Sequence, residues 1–171
     1  MASLPDLAEL APFLRVLLVT DGVVTRILEA YFNEPIAVDV LSHSEERSDR
    51  AHPEIEAHVG DQILSRRVIL RGRVTRRPYV YAASIVLSNC LPAQVRRGLV
   101  EERKGIGELL SAGRLETYRE LISVRRRAAA EHASHLDMER HAAVVSRSYR
   151  IHLHGRPAML IEEIFPEARF A

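Results

Sequence analysis

Between Ser146 and Pro166 the chain reads SRSYRIHLHGRPAMLIEEIFP, two alternating segments about Gly155-Arg156. Glycine followed by any residue suits a two-residue type II′ hairpin turn. That turn pairs His154 with Pro157, Ile151 with Leu160, Tyr149 with Glu162 and Arg147 with Ile164. Opposed residues of a hairpin share a face. One face then carries Arg147, Tyr149 and Glu162 among Ile151, Leu153, Ala158, Leu160 and Ile164. Charges enter an apolar face only when they are paired or engage something. Two readings follow: an internal Arg–Glu ion pair with a satisfied tyrosine, or a ligand site.

Other residues could complete such a site. In the segment Ile63–Arg71, Arg66 shares a face with Val68 and Leu70 and is the arginine on the more apolar side. Asp21-Gly22 turns into a helix whose first amides are donors. Two arginines, a carboxylate and a helix N-terminus suit a small acid with a second polar end, and nothing in that set requires a cofactor. The competing chemistry is thinner. His132, His135 and His141 stand with Glu131, Asp137 and Glu139 in a solvated stretch that matches no closed zinc spacing, so no metal is expected. Arg96-Arg97 and Arg125-Arg126-Arg127 read as solvated faces rather than a nucleic-acid surface. Gly105-Ile106-Gly107 is too short for a dinucleotide fingerprint. Cys90 has no activating base nearby in sequence.

The elements that must position these groups alternate between helical and strand patterns. Periodicity predicts a helix from about Leu7 to Val19 and a second through VTRILEAYF, ended by Asn33-Glu34-Pro35. Residues 36–43 alternate as a strand, and Ser44–Asp61 reads as a surface loop or short helix. Ile63–Arg71 and Tyr79–Leu87 form a strand pair. Pro92 opens a helix through about Glu102, and helical spacing resumes at Glu108-Leu109-Leu110 and from Leu115 through about His132. Helices at the start, several antiparallel strands and a helical insert before the last hairpin predict one α+β domain over residues 1–171. The 171 residues are 47% apolar with a net charge of +1, which predicts a globular chain with no global pull toward nucleic acid or an anionic membrane. A single cysteine, no long apolar run and no leader pattern predict a cytoplasmic protein without a membrane span.

The runs LLVTDGVVTRILEAYFNEPIAVDVLS, RRVILRG with YVYAASIV, GIGELL with ETYRE, and the final SRSYRIHLHGRPAMLIEEIFP follow one another as in the chorismate pyruvate-lyase family. The chain most resembles the actinobacterial and archaeal 4-hydroxybenzoate synthase branch, from about Phe13 to Pro166. The resemblance implies an antiparallel sheet with helices over a buried ligand cavity, a fold shared with ligand-sensing domains of some transcription regulators. It implies removal of pyruvate from chorismate to leave 4-hydroxybenzoate, with neither metal nor organic cofactor. Carried over by motif, Arg66 meets the ring carboxylate, helped by amides at Val24 and its neighbours. Glu162 meets the ring hydroxyl as anchor or acid/base, Ile106 lines the cavity, and Arg147 holds the side-chain carboxylate or Glu162, with Tyr149 beside it. There are two departures. Ala83 stands where the enterobacterial branch has a second arginine, and Gly105 where the family often has proline. Arg147, or Arg67 if the register slips by one, is left to supply the missing charge. Two alternatives share the fold: a non-catalytic sensor or carrier of an aromatic acid, and an enzyme giving another hydroxybenzoate. No DNA-binding helix-turn-helix motif is legible in the chain, which favours the enzyme.

Overall fold

The computed structural model describes residues 7–101 and 104–171. Its strands are β1 (Ile36–Arg47), β2 (Gln62–Gly72), β3 (Pro78–Leu87), β4 (Thr117–Ala128), β5 (Ala143–Leu153) and β6 (Arg156–Pro166). Its helices are α1 (Pro12–Val19), α2 (Val24–Phe32), α3 (Ala93–Val100) and α4 (Ile106–Ala112). Two antiparallel meanders, β1-β2-β3 and β4-β5-β6, join through β3 and β6 into one sheet of order β1-β2-β3-β6-β5-β4. The α+β architecture is the one read from the sequence. No helix among the described residues is long and apolar enough to cross a membrane.

Strand β3 shows how the layers form. Its even residues face the helices. Val80 joins Leu14, Leu17, Leu18 and Leu28 of α1 and α2, while Val86 joins Val95, Leu99, Leu109 and Leu110 of α3 and α4. Ala82 and Ser84 lie between these two clusters, and their small side chains leave the space unfilled. From Tyr81 onward the odd residues face the other way, whereas Tyr79, at the register shift with β2, stacks on Phe32 of α2. Tyr81 packs under Ala133 and Leu136 of the connection after β4, and Leu87 under Ile55 and Ala57. Covering both faces is why the central strands are apolar on both sides.

Three expectations are corrected. The first helix starts at Pro12, not Leu7; a single 3-10 turn at Leu7–Glu9 precedes it, and proline is favoured in the first turn of a helix. The helix expected after Pro92 runs Ala93–Val100; Glu102 lies outside the described residues. The helix expected over 115–132 is strand β4 for most of its length. Its sequence, TYRELISVRRRA, is rich in good helix formers, but pairing with β5 along its length overrides that preference. As an edge strand with one neighbour it stays largely exposed and charged, which also blunts the open edge.

The closing hairpin is the fourth correction. Its turn is His154-Gly155, both left-handed with φ of 51° and 77°, so Leu153 pairs with Arg156 and not His154 with Pro157. That two-residue change in register alone preserves the faces. A bulge then intervenes: His152 pairs with Pro157 but Ile151 with Met159, which leaves Ala158 extra. One extra residue exchanges the faces of everything beyond it. Arg147 therefore pairs with Glu163 and Ser148 with Glu162.

Candidate active site

The cavity lies over the middle of the sheet, between the two helical clusters, and every strand contributes to it. Val38 comes from β1, Arg66, Val68 and Leu70 from β2, and Ala82 and Ser84 from β3. Ile161 and Glu163 come from β6, Tyr149 and Ile151 from β5, and Arg119 from β4. Val23, Val24 and Thr25 at the start of α2 and Gly105, Ile106 and Gly107 at the start of α4 close it from above. Neither helix has a side-chain cap. In α2 the leading amides beside the cavity are therefore open donors at the positive end of the helix.

Arg66 is 3% exposed. Its Nη1 donates to the Lys104 carbonyl at 2.6 Å, while Nε and Nη2 have no partner among the described residues. Burial pushes the guanidinium below its ordinary pKa. A buried, half-satisfied arginine in an apolar wall is costly until an anion reaches it. Glu163 is held differently. Its Oε2 accepts from Arg147 Nε at 2.7 Å and its Oε1 from the Tyr149 hydroxyl at 3.1 Å. Arg147 also donates to the Thr20 carbonyl at 2.8 Å, and its guanidinium lies 4.9 Å from the centroid of the Tyr149 ring. Burial, then the neighbouring Glu163, raise the Tyr149 pKa, so the phenol keeps its proton and donates.

The structure thus brings Arg66, Val24, Ile106 and Tyr149 to one cavity, with Arg147 behind Glu163. It does not bring Glu162. That carboxylate lies across the sheet, 40% exposed and 3.2 Å from Arg127. Arg67 and Ala83 face the same far side, beside Glu162, so neither alters the charge of the cavity. Among the described residues no three histidine, cysteine, aspartate or glutamate side chains converge as metal ligands. His132 and His135 pack on the ring of Tyr81.

A model of the chorismate pyruvate-lyase Rv2949c-like family matches residues 18–170. The chain belongs to the chorismate pyruvate-lyase family. Relatives bearing the name chorismate pyruvate-lyase include one from Mycobacterium leprae (strain TN), 31% identical over 160 residues that cover 92% of this chain and 75% of that one. Another, from Mycobacterium tuberculosis H37Rv, is 27% identical and covers 92% and 81%. Among solved structures, PhnF from Mycobacterium smegmatis superposes with a TM-score of 0.71 at 9% identity, over 90% of this chain and 67% of that one. A GntR-family transcriptional regulator from Bacillus cereus gives 0.61 at 12% identity, over 80% and 94%. At these identities the likeness is one of fold. Within this family member, sequence reasoning missed Glu163 and Arg119. Arg119 was hidden by the helical reading of β4, which is a strand because it pairs with β5 along its length.

Proposed function

We propose that this protein removes pyruvate from chorismate and leaves 4-hydroxybenzoate, by its own side chains and without a metal or organic cofactor. The observation that carries the reading is Arg66, a buried guanidinium with two donors unsatisfied among the described residues, set in the cavity wall of a chorismate pyruvate-lyase family member. Arg66 takes the ring carboxylate, with the α2 amides near Val24 as further donors. The space over Ala82 and Ser84 takes the ring, and Ile106 covers it. Glu163 takes the role that the sequence assigned to its neighbour: its carboxylate accepts from the ring hydroxyl while Arg147 and Tyr149 hold it in place.

In the reaction the bond from the ring to the ether oxygen breaks, and its electron pair stays with that oxygen. The hydrogen on the hydroxyl-bearing carbon next door leaves as a proton and ends on the enolpyruvyl methylene carbon. The products are pyruvate and an aromatic ring, so atoms and charge balance. Aromatisation supplies the driving force, and the protein contributes orientation and fixed charge.

The test is to incubate purified protein with chorismate, measure pyruvate enzymatically and identify the aromatic product by chromatography. Pyruvate and 4-hydroxybenzoate in equal amounts are expected. Pyruvate with a different hydroxybenzoate would replace the product assignment. Tight binding of 4-hydroxybenzoate without turnover would replace the enzyme with a binding protein of the same fold.

A further inference from the structure

Arg119 stands in β4 opposite Ile151, so it shares the cavity face with Ile151 and Tyr149. It lines the cavity, its guanidinium 5.8 Å from the centroid of the Tyr149 ring. Its Nη1 donates to two main-chain carbonyls, those of Asp21 at 2.6 Å and Gly22 at 2.5 Å. Among the described residues no acidic side chain pairs with it. A side chain at Gly107 would begin 3.5 Å from its Nη2, so the glycine leaves that flank open.

The charges of the cavity can be balanced group by group. Glu163 is neutralised by Arg147, which is 2% exposed and stands outside the cavity wall. Among the described residues two lining guanidiniums then remain without a carboxylate, Arg66 and Arg119. Hydrogen bonds to neutral carbonyls hold a guanidinium less strongly than a carboxylate does. Arg119 is therefore bound by partners that an anion can displace.

We infer that Arg119 takes the second carboxylate of a ligand whose ring carboxylate is on Arg66, and so selects aromatic diacids over monoacids. This rests on the proposed reading of Arg66. It has a consequence for turnover: once the substrate splits, each product acid holds one arginine instead of two and leaves more readily.

The experiment uses a matched, unreactive pair, 3-(carboxymethoxy)benzoate and 3-methoxybenzoate, which differ by the second carboxylate. Calorimetric titration of the wild type is expected to show a preference for the diacid of about tenfold or more. Arg119→Gln should lose that preference by weakening the diacid alone, with the monoacid changed by less than about twofold, and Arg119→Lys should fall between. A preference absent in the wild type, or retained in Arg119→Gln, overturns the inference. So does equal weakening of both acids, which would make Arg119 only a tie to the Asp21-Gly22 turn. The two readings fail separately. Loss of diacid preference in Arg119→Gln, with no pyruvate released by the wild type, removes the lyase and keeps Arg119. Pyruvate release by both proteins with the same KM for chorismate removes Arg119 and keeps the lyase.

Discussion

Replacing Glu163 by glutamine, beside the same change at Glu162, tests the bulge at Ala158 and the site together. Glu163 is 6% exposed and its partner Arg147 is more deeply buried still. The substitution leaves the shape almost unchanged and removes one of two opposed charges held 2.7 Å apart. Breaking a buried pair from one side costs about 3–5 kcal/mol, because the remaining charge stays in the interior. Glutamine keeps an acceptor oxygen for Arg147 or Tyr149, so the lower end, about 3 kcal/mol, is expected. For a domain of this size that lowers Tm by about 6–12 °C. Glu162 is 40% exposed and its contact with Arg127 is 3.2 Å. An exposed pair of this kind contributes about 0.2–1 kcal/mol, so Glu162→Gln should melt within about 4 °C of the wild type. Circular dichroism melts of the three proteins give the comparison, and pyruvate release from chorismate gives the activity. Glu163→Gln should lose about a hundredfold or more in kcat, with Glu162→Gln close to wild type. Equal melts for the two variants, or the larger loss at Glu162, would refute both the register and the assignment. Adding Arg147→Met to Glu163→Gln should recover part of the lost stability, since it removes the stranded charge.

Other consequences are open to direct measurement. Arg66→Met should raise Tm while abolishing turnover, because it exchanges a half-satisfied buried cation for an apolar chain of similar length; a gain of about 1–4 kcal/mol is expected from urea unfolding, and a loss of stability would count against the site. Ala82→Leu should fill the cavity floor and reduce kcat/KM for chorismate by at least about tenfold without lowering Tm; wild-type kinetics would mean that the ring lies elsewhere. Glu34 accepts from Tyr79, from the Thr75 amide and hydroxyl, and from the Val74 amide, and these hydrogen bonds, led by that of Tyr79, lower its pKa from 4.5 to about 2. Its folded value lies below its unfolded one, so its contribution to stability is complete above pH 4.5 and is lost as the pH falls from there toward 2. Urea midpoints measured across that window should fall more steeply for the wild type than for Glu34→Gln; parallel curves would show that the carboxylate carries no such linkage.

Much of the fold was legible because it depends on local pattern. The alternation in Ile63–Arg71 assigned Arg66, Val68 and Leu70 to one face, and those three residues line the cavity. Proline and glycine marked the breaks around α2, α3 and α4. The family motifs, in order, identified the architecture over nearly the whole chain. The presence of a carboxylate next to Arg147 and Tyr149 was also legible, as a polar group on an otherwise apolar face of a hairpin.

Which carboxylate it is was decided only by the assembled sheet. A β-strand repeats every two residues, so a single unpaired residue exchanges its faces, and Glu162 and Glu163 are adjacent in sequence and alike in chemistry. The bulge at Ala158 is seen only in the pairing of β5 with β6, and nothing in the alternation of SRSYRIHL or PAMLIEEI announces it. Strand β4 is the same lesson on a larger scale. Its arginine-rich sequence has spacing that suits a helix in isolation, and pairing with β5 makes it an edge strand. Only that pairing carries Arg119 to the cavity. Local propensity is settled by tenths of a kcal/mol per residue, whereas strand pairing and burial act over the whole element, so the positions that depend on register are the ones tertiary structure had to choose.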